Sequence, residues 1–182
     1  MKTSPPHAQK FKWVALLLAP FLLGLSPGQM VPELAGKNQN GESVSLAKFR
    51  GHYLLVYFYP ADDTPGCTTE ANGLRDQYDK IKKLGADVVG VSKQNSASHR
   101  KFRDKLKLPF DLLVDEDGSL GRALGIESMP IIGLSSRQSL LIDPNGKVLR
   151  FYDDVDPDKH AQEVIADIVK AKATEAKASR KN

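Results

Sequence analysis

Tyr53-Leu54-Leu55-Val56-Tyr57-Phe58-Tyr59-Pro60-Ala61-Asp62-Asp63-Thr64-Pro65-Gly66-Cys67-Thr68-Thr69-Glu70 is the segment on which the fold turns. Its first seven residues are a continuous apolar and aromatic run, the composition of a strand buried on both faces. Pro60 ends the strand. Thr64 suits a helix N-cap and Pro65 a first helical position, so a helix is predicted from about Pro65 to Lys83, with Gly85 as its stop. A strand covered on both faces needs helices on both sides, which predicts an α/β domain.

The flanking sequence continues the alternation. Before the strand, Asn40-Gly41 marks a turn between two short segments of Leu34–Leu46, an N-terminal hairpin. After it come a strand at 87–92, a helix at 96–107, a strand at 110–114 and a short helix near Leu120–Leu124. Asp143-Pro144-Asn145-Gly146 between two apolar runs, 139–142 and 148–151, predicts a second hairpin. The last helix is expected to begin with Asp156 as N-cap and Pro157 at its first position, with Val164, Ile165, Ile168 and Val169 as its buried stripe. Past Lys170 the Ala/Lys-rich segment is expected to fray. There is no internal repeat.

The chain has 182 residues and a net charge of +4, and the basic charge lies at its ends. Residues 1–12 carry +3 and residues 170–182 carry +4, which leaves −3 for residues 13–169. The basic footprint of a nucleic-acid-binding domain is therefore missing from the core. Residues 13–25 are uncharged and follow lysines, too short a run to span a bilayer and fitting for a secretory leader. Ser26 and Gly28 are the small residues before a cut at Gln29, but no Ala-x-Ala stands there. The expected organisation is a leader or membrane anchor at 1–28, one domain at 29–170 and a basic flexible tail at 171–182. The expected location is outside the cytoplasm, periplasmic or similar, with tethering through residues 13–25 as the alternative.

The chain has a single cysteine, which excludes an internal disulfide, a Cys-x-x-Cys pair and a multi-cysteine zinc site. No metal or cofactor is expected, and no phosphate-binding glycine pattern occurs. A lone cysteine is in general an inert core residue. In the first turn of a helix, beside free N–H groups and the positive end of the macrodipole, a thiolate is favoured instead. Ionisation alone accomplishes little. For thiols in general, about a thirtyfold gain in ionised fraction is offset by about a thirteenfold loss of nucleophilicity. Neighbouring groups must supply the rest. The segment offers the Thr64 hydroxyl, backbone N–H groups around Gly66 and Cys67, and room for an arginine from elsewhere.

Pro60-x-x-x-Thr64-x-x-Cys67 resembles the active-site signature of peroxiredoxins, and residues 57–71 look like the peroxiredoxin Q, or bacterioferritin comigratory protein, subgroup. The resemblance continues through 73–76, 114–117 and 137–147 and covers roughly 31–170. It implies a thioredoxin-like fold, a mixed sheet with helices on both faces, and reduction of hydrogen peroxide or organic hydroperoxides. By position it makes Cys67 the nucleophile that becomes a sulfenic acid, Thr64 a peroxide ligand, Pro60 a shield from water and Arg137 the cation stabilising the thiolate and leaving oxygen. Many subgroup members carry a resolving cysteine five residues after the nucleophile; here Asn72 stands there. Resolution is then expected from an external thiol: glutathione, a glutaredoxin or a thioredoxin-like protein. A monomer or weak homodimer is expected, with a Cys67–Cys67 disulfide between chains as another route. Thiol–disulfide exchange, or an exported binding or scaffolding domain with a vestigial site, are the competing readings.

Other features read as structural. Asp62 and Asp63 are expected as solvated loop carboxylates and Asp115–Gly118 as a turn. The histidines show no local partner pattern near Cys67. Ser128–Leu134 reads equally as a substrate entrance, a partner surface or a short buried segment.

Overall fold

The computed structural model describes residues 25–129 and 133–180. The leader expected at 13–25 lies almost wholly outside them, and so does the middle of the apolar run at Ser128–Leu134. Strand β1 (Ala35–Asn38) and β2 (Ser43–Ser45) form the expected hairpin, with Gly41 at φ +80° in its turn. A 3-10 turn at Leu46–Phe49 leads to β3 (Tyr53–Phe58). Then follow α1 (Pro65–Asp76), α2 (Tyr78–Lys83), β4 (Ala86–Ser92), α3 (Ser96–Leu106), β5 (Asp111–Val114), α4 (Ser119–Leu124), β6 (Gln138–Ile142), β7 (Val148–Tyr152) and α5 (His160–Ser179).

The seven strands form one mixed sheet in the order β2-β1-β5-β4-β3-β6-β7. The β3–β4 and β4–β5 pairs are parallel and the others antiparallel. All six residues of β3 are buried, as its composition requires. Tyr53, Leu55 and Tyr57 face a core shared with α1, α2, α3 and α5; Leu54, Val56 and Phe58 face a second core closed by α4 and the 3-10 turn. This is the thioredoxin-like arrangement. Gly90 sits opposite Tyr57, and a Cβ there would meet the Tyr57 ring at 2.9 Å, so only glycine lets that ring lie across β4.

Four details depart from the sequence reading. The helix expected at 65–83 is two helices, broken at Gln77 (φ −98°, ψ 2°). No glycine or proline marks the break. Past it, the Tyr78 ring packs on Phe110 at 5.8 Å and Ile81 enters the core. The last helix starts at His160, later than expected. Asp156 instead caps a tight leading turn, its side chain accepting from Asp158 N–H and its carbonyl from the N–H groups of Lys159 and His160. Val169 is about half exposed, while Ala161 joins Val164, Ile165 and Ile168 on the buried face. Beyond Lys170 the helix continues to Ser179, because Lys172 donates to the Leu84 carbonyl at 3.0 Å and Tyr53 donates to Glu175 at 2.7 Å.

Candidate active site

Cys67 occupies the third position of α1, behind Thr64, Pro65 and Gly66. Thr64 has the extended backbone of an N-cap, but its hydroxyl makes no capping bond and donates to the Ala61 carbonyl at 3.1 Å. That bond closes the loop carrying Pro60. Cys67 is buried, 1% exposed, in the core cluster that holds Tyr57, Tyr59, Ala71 and Leu74, and a cation reaches its sulfur there. Arg137, in the segment just before β6, places NH2 at 3.2 Å from Cys67 Sγ. The Arg137 side chain is 19% exposed, whereas Cys67 and the Glu70 side chain are almost wholly buried. Burial alone would lower the Arg137 pKa, but the charges and hydrogen bonds of Glu70 and Cys67 outweigh burial and raise it. The cation is permanent.

Two residues absent from the sequence reading complete the constellation. Glu70 is buried one turn along α1 from Cys67; one oxygen takes NH1 of Arg137 and the other faces His160 Nδ1 at 2.9 Å. The i, i+3 spacing of Cys67 and Glu70 was legible as one helix face. His160 lies 93 residues from Cys67, and no local pattern could pair them; the fold brings it to Glu70. The Tyr57 hydroxyl is buried with no hydrogen-bond partner among the described residues. Burial, then the charges of Glu70 and Cys67, push its pKa well up, so it stays protonated.

Asp62 is likewise not solvated. Its side chain is 3% exposed and accepts from the Tyr59 hydroxyl at 2.8 Å, the Ser98 hydroxyl at 2.6 Å and His99 Nδ1 at 3.0 Å. Burial alone would raise its carboxyl, but the His99 bond and charge, with the Ser98 and Tyr59 bonds, hold it below the usual range. Asp62 thus ties the 60–64 loop to α3. Asp63 is exposed at φ +59° and pairs with Lys105 at 2.8 Å. Asp115 accepts from the N–H groups of Leu120 and Gly121, both at 2.9 Å, as a turn residue capping α4. No cluster of three or more potential metal ligands occurs among the described residues, nor any helix long and apolar enough to cross a membrane.

A thioredoxin-like sheet that presents one cysteine at a helix mouth, paired with an arginine from the head of the neighbouring strand, defines a thiol-redox class of α/β proteins. Within that class the chain belongs to the AhpC/TSA family, which matches residues 27–151. It is 44% identical over 142 residues to a chloroplastic peroxiredoxin Q of Suaeda salsa, a match covering 78% of this chain and 66% of that one. The chain therefore spans just under two thirds of that relative's length. A peroxiredoxin Q structure from Xanthomonas campestris superposes with a TM-score of 0.70 at 34% identity, over 75% of this chain and 90% of that one. The peroxidoxin BcpB structure from Mycobacterium tuberculosis gives 0.75 at 27% identity, over 80% and 97%.

Proposed function

We propose that this chain is a one-cysteine thiol peroxidase that reduces hydrogen peroxide and organic hydroperoxides. The observation that carries the reading is the 3.2 Å approach of the Arg137 guanidinium to Cys67 Sγ at the start of α1. The same cation serves both ends of the reaction. It favours the thiolate beforehand, and it faces the charge that develops on the departing oxygen.

In this scheme the Cys67 thiolate attacks the terminal hydroxyl oxygen of the peroxide. The S–O bond forms as the O–O bond breaks, and the electron pair leaves on the alkoxide or hydroxide, which takes a proton from water. Cys67 becomes a sulfenic acid. Thr64 has committed its proton to Ala61, so its lone pairs are available to accept from the peroxide O–H. Pro60, on the same loop, shields the sulfur from bulk water. The chain has no second cysteine, so an external thiol condenses with the sulfenic acid to a mixed disulfide and water, and a further thiol frees Cys67. Glutathione, a glutaredoxin or a thioredoxin-like protein fits that role. The apolar run behind a lysine-bearing leader supports a location outside the cytosol.

The test is peroxide consumption by the full chain with a panel of thiol reductants. Turnover is expected with at least one, abolished in Cys67→Ser and slowed on the order of a hundredfold in Arg137→Met. Reduced protein that reacts with peroxide no faster than a free thiol would leave only a binding or scaffolding role.

A further inference from the structure

The carboxylate beside the site is shared between two donors. Glu70 Oε1 faces His160 Nδ1 at 2.9 Å, and Oε2 takes NH1 of Arg137. The guanidinium is shared too, NH1 to Glu70 and NH2 to Cys67 Sγ. Left to themselves, a carboxylate and a guanidinium favour two parallel hydrogen bonds. That pairing here would engage a second nitrogen and draw NH2 from the sulfur.

His160 opposes it. An ionised carboxylate only accepts, so Nδ1 carries the hydrogen and ties Oε1 to α5. The ring is itself held, with its side chain 1% exposed, its edge against the Tyr152 ring at 5.3 Å and its backbone N–H on the Asp156 carbonyl at 3.0 Å. Its Nε2 is buried and meets no partner among the described residues. The bond to Glu70 is thus the ring's only side-chain hydrogen bond among them, and it is what a histidine supplies here that an apolar ring would not.

We propose that His160 is a positioning residue: by holding one oxygen of Glu70, it keeps the Glu70–Arg137 pair single-bonded and leaves NH2 of Arg137 to the Cys67 sulfur. The inference deepens the peroxidase reading, but its geometry concerns only the thiolate. The titratable and charged groups facing the site are Cys67 and Glu70 on α1, Arg137 before β6, Tyr57 on β3, Tyr152 on β7 and His160 on α5. Burial first, then the Asp167 hydrogen bond and charge, raise the Tyr152 hydroxyl, and Tyr57 is raised as well, so neither titrates with the thiol.

The experiment follows the rate of Cys67 alkylation by iodoacetamide against pH in the full chain. His160→Phe keeps the ring edge on Tyr152 but has no donor; its alkylation midpoint should rise by about one pH unit, the tenfold loss expected for a charge-assisted hydrogen bond. His160→Asn keeps a donor at the Nδ1 position and should restore the wild-type midpoint. In a Glu70→Gln background, which lacks the chelating carboxylate, adding His160→Phe should cause no further shift. An unmoved midpoint in folded His160→Phe, a failure of the asparagine rescue, or equal shifts in both backgrounds would overturn the proposal. Should His160→Phe not fold, nitrogen NMR of the wild-type ring still decides. The Nδ1–H form is expected, and an Nε2–H tautomer with bare Nδ1 overturns it. Alkylation needs no peroxide, so a protein that shows the predicted shift but never consumes peroxide would sink the peroxidase reading alone.

Discussion

Gly66 lies at the second position of α1 with no positive φ, so nothing in the backbone requires glycine there. What a side chain would meet is the guanidinium. A Cβ on Gly66 would stand 3.1 Å from NH2 of Arg137, 3.7 Å from its Cζ and 3.8 Å from Cγ of Pro157. The first distance is too short by a few tenths of an ångström, and the side chain, not the helix, is free to give. Alanine in place of glycine adds roughly 0.4–1 kcal/mol to helix stability, partly by restricting the unfolded chain. Yet NH2 is the nitrogen that holds the sulfur. A hydrogen bond to a charged group is worth about 1.5–3 kcal/mol net. Losing roughly half of it costs about 1.1 kcal/mol, or about sixfold in rate. Gly66→Ala should therefore unfold at the same or slightly higher urea concentration while forming sulfenic acid about six times more slowly. Equilibrium denaturation and stopped-flow mixing with peroxide measure the two quantities separately. A variant as stable as wild type and equally fast would refute the idea that the exact seat of the guanidinium sets the rate.

Two further substitutions probe the surroundings. Asp62→Asn breaks a buried pair with His99 and should cost about 3 kcal/mol at neutral pH. Because the Asp62 carboxyl is held below the usual range, its contribution is present above about pH 4 and is lost as pH falls through the depressed value. The gap in urea stability between variant and wild type should thus narrow from pH 7 to pH 3, and a constant gap would count against the pairing. Asn72→Cys places a thiol five residues from Cys67 on one helix, where α-helical geometry separates Cα atoms by roughly 8.6 Å, beyond disulfide reach. Mass spectrometry after peroxide treatment should find the intramolecular disulfide only with a loss of helical circular dichroism. A disulfide in a fully helical protein would contradict that geometry.

The sheet was legible because β3 is buried on both faces and states it residue by residue, and because Asn40-Gly41 and Asp143–Gly146 carry explicit turn chemistry. The break at Gln77 was not, since it follows from where Tyr78 and Ile81 pack rather than from a local breaker. The late start of α5 hid behind Asp156 and Pro157, which do the work expected of a helix start but spend it on a leading turn. At the site, Pro60 and Thr64 lie on the loop that leads into α1 and Cys67 in the first turn of that helix, so they could be read together. Arg137 could be placed only by resemblance to a known pattern. Glu70 had the right helical spacing and went unread because a buried carboxylate announces itself only through its partners. Asp62 looked solvated for the same reason: Tyr59 is near in sequence, but Ser98 and His99 arrive from α3.

The groups that meet at the sulfur stand at positions 67, 70, 137 and 160, and the last arrives with α5. During synthesis at about 5–20 residues per second, some 5–20 seconds separate the emergence of the thiol from that of its final support. On the role proposed for His160, the sulfur gains its last support only when α5 docks, together with the completed fold.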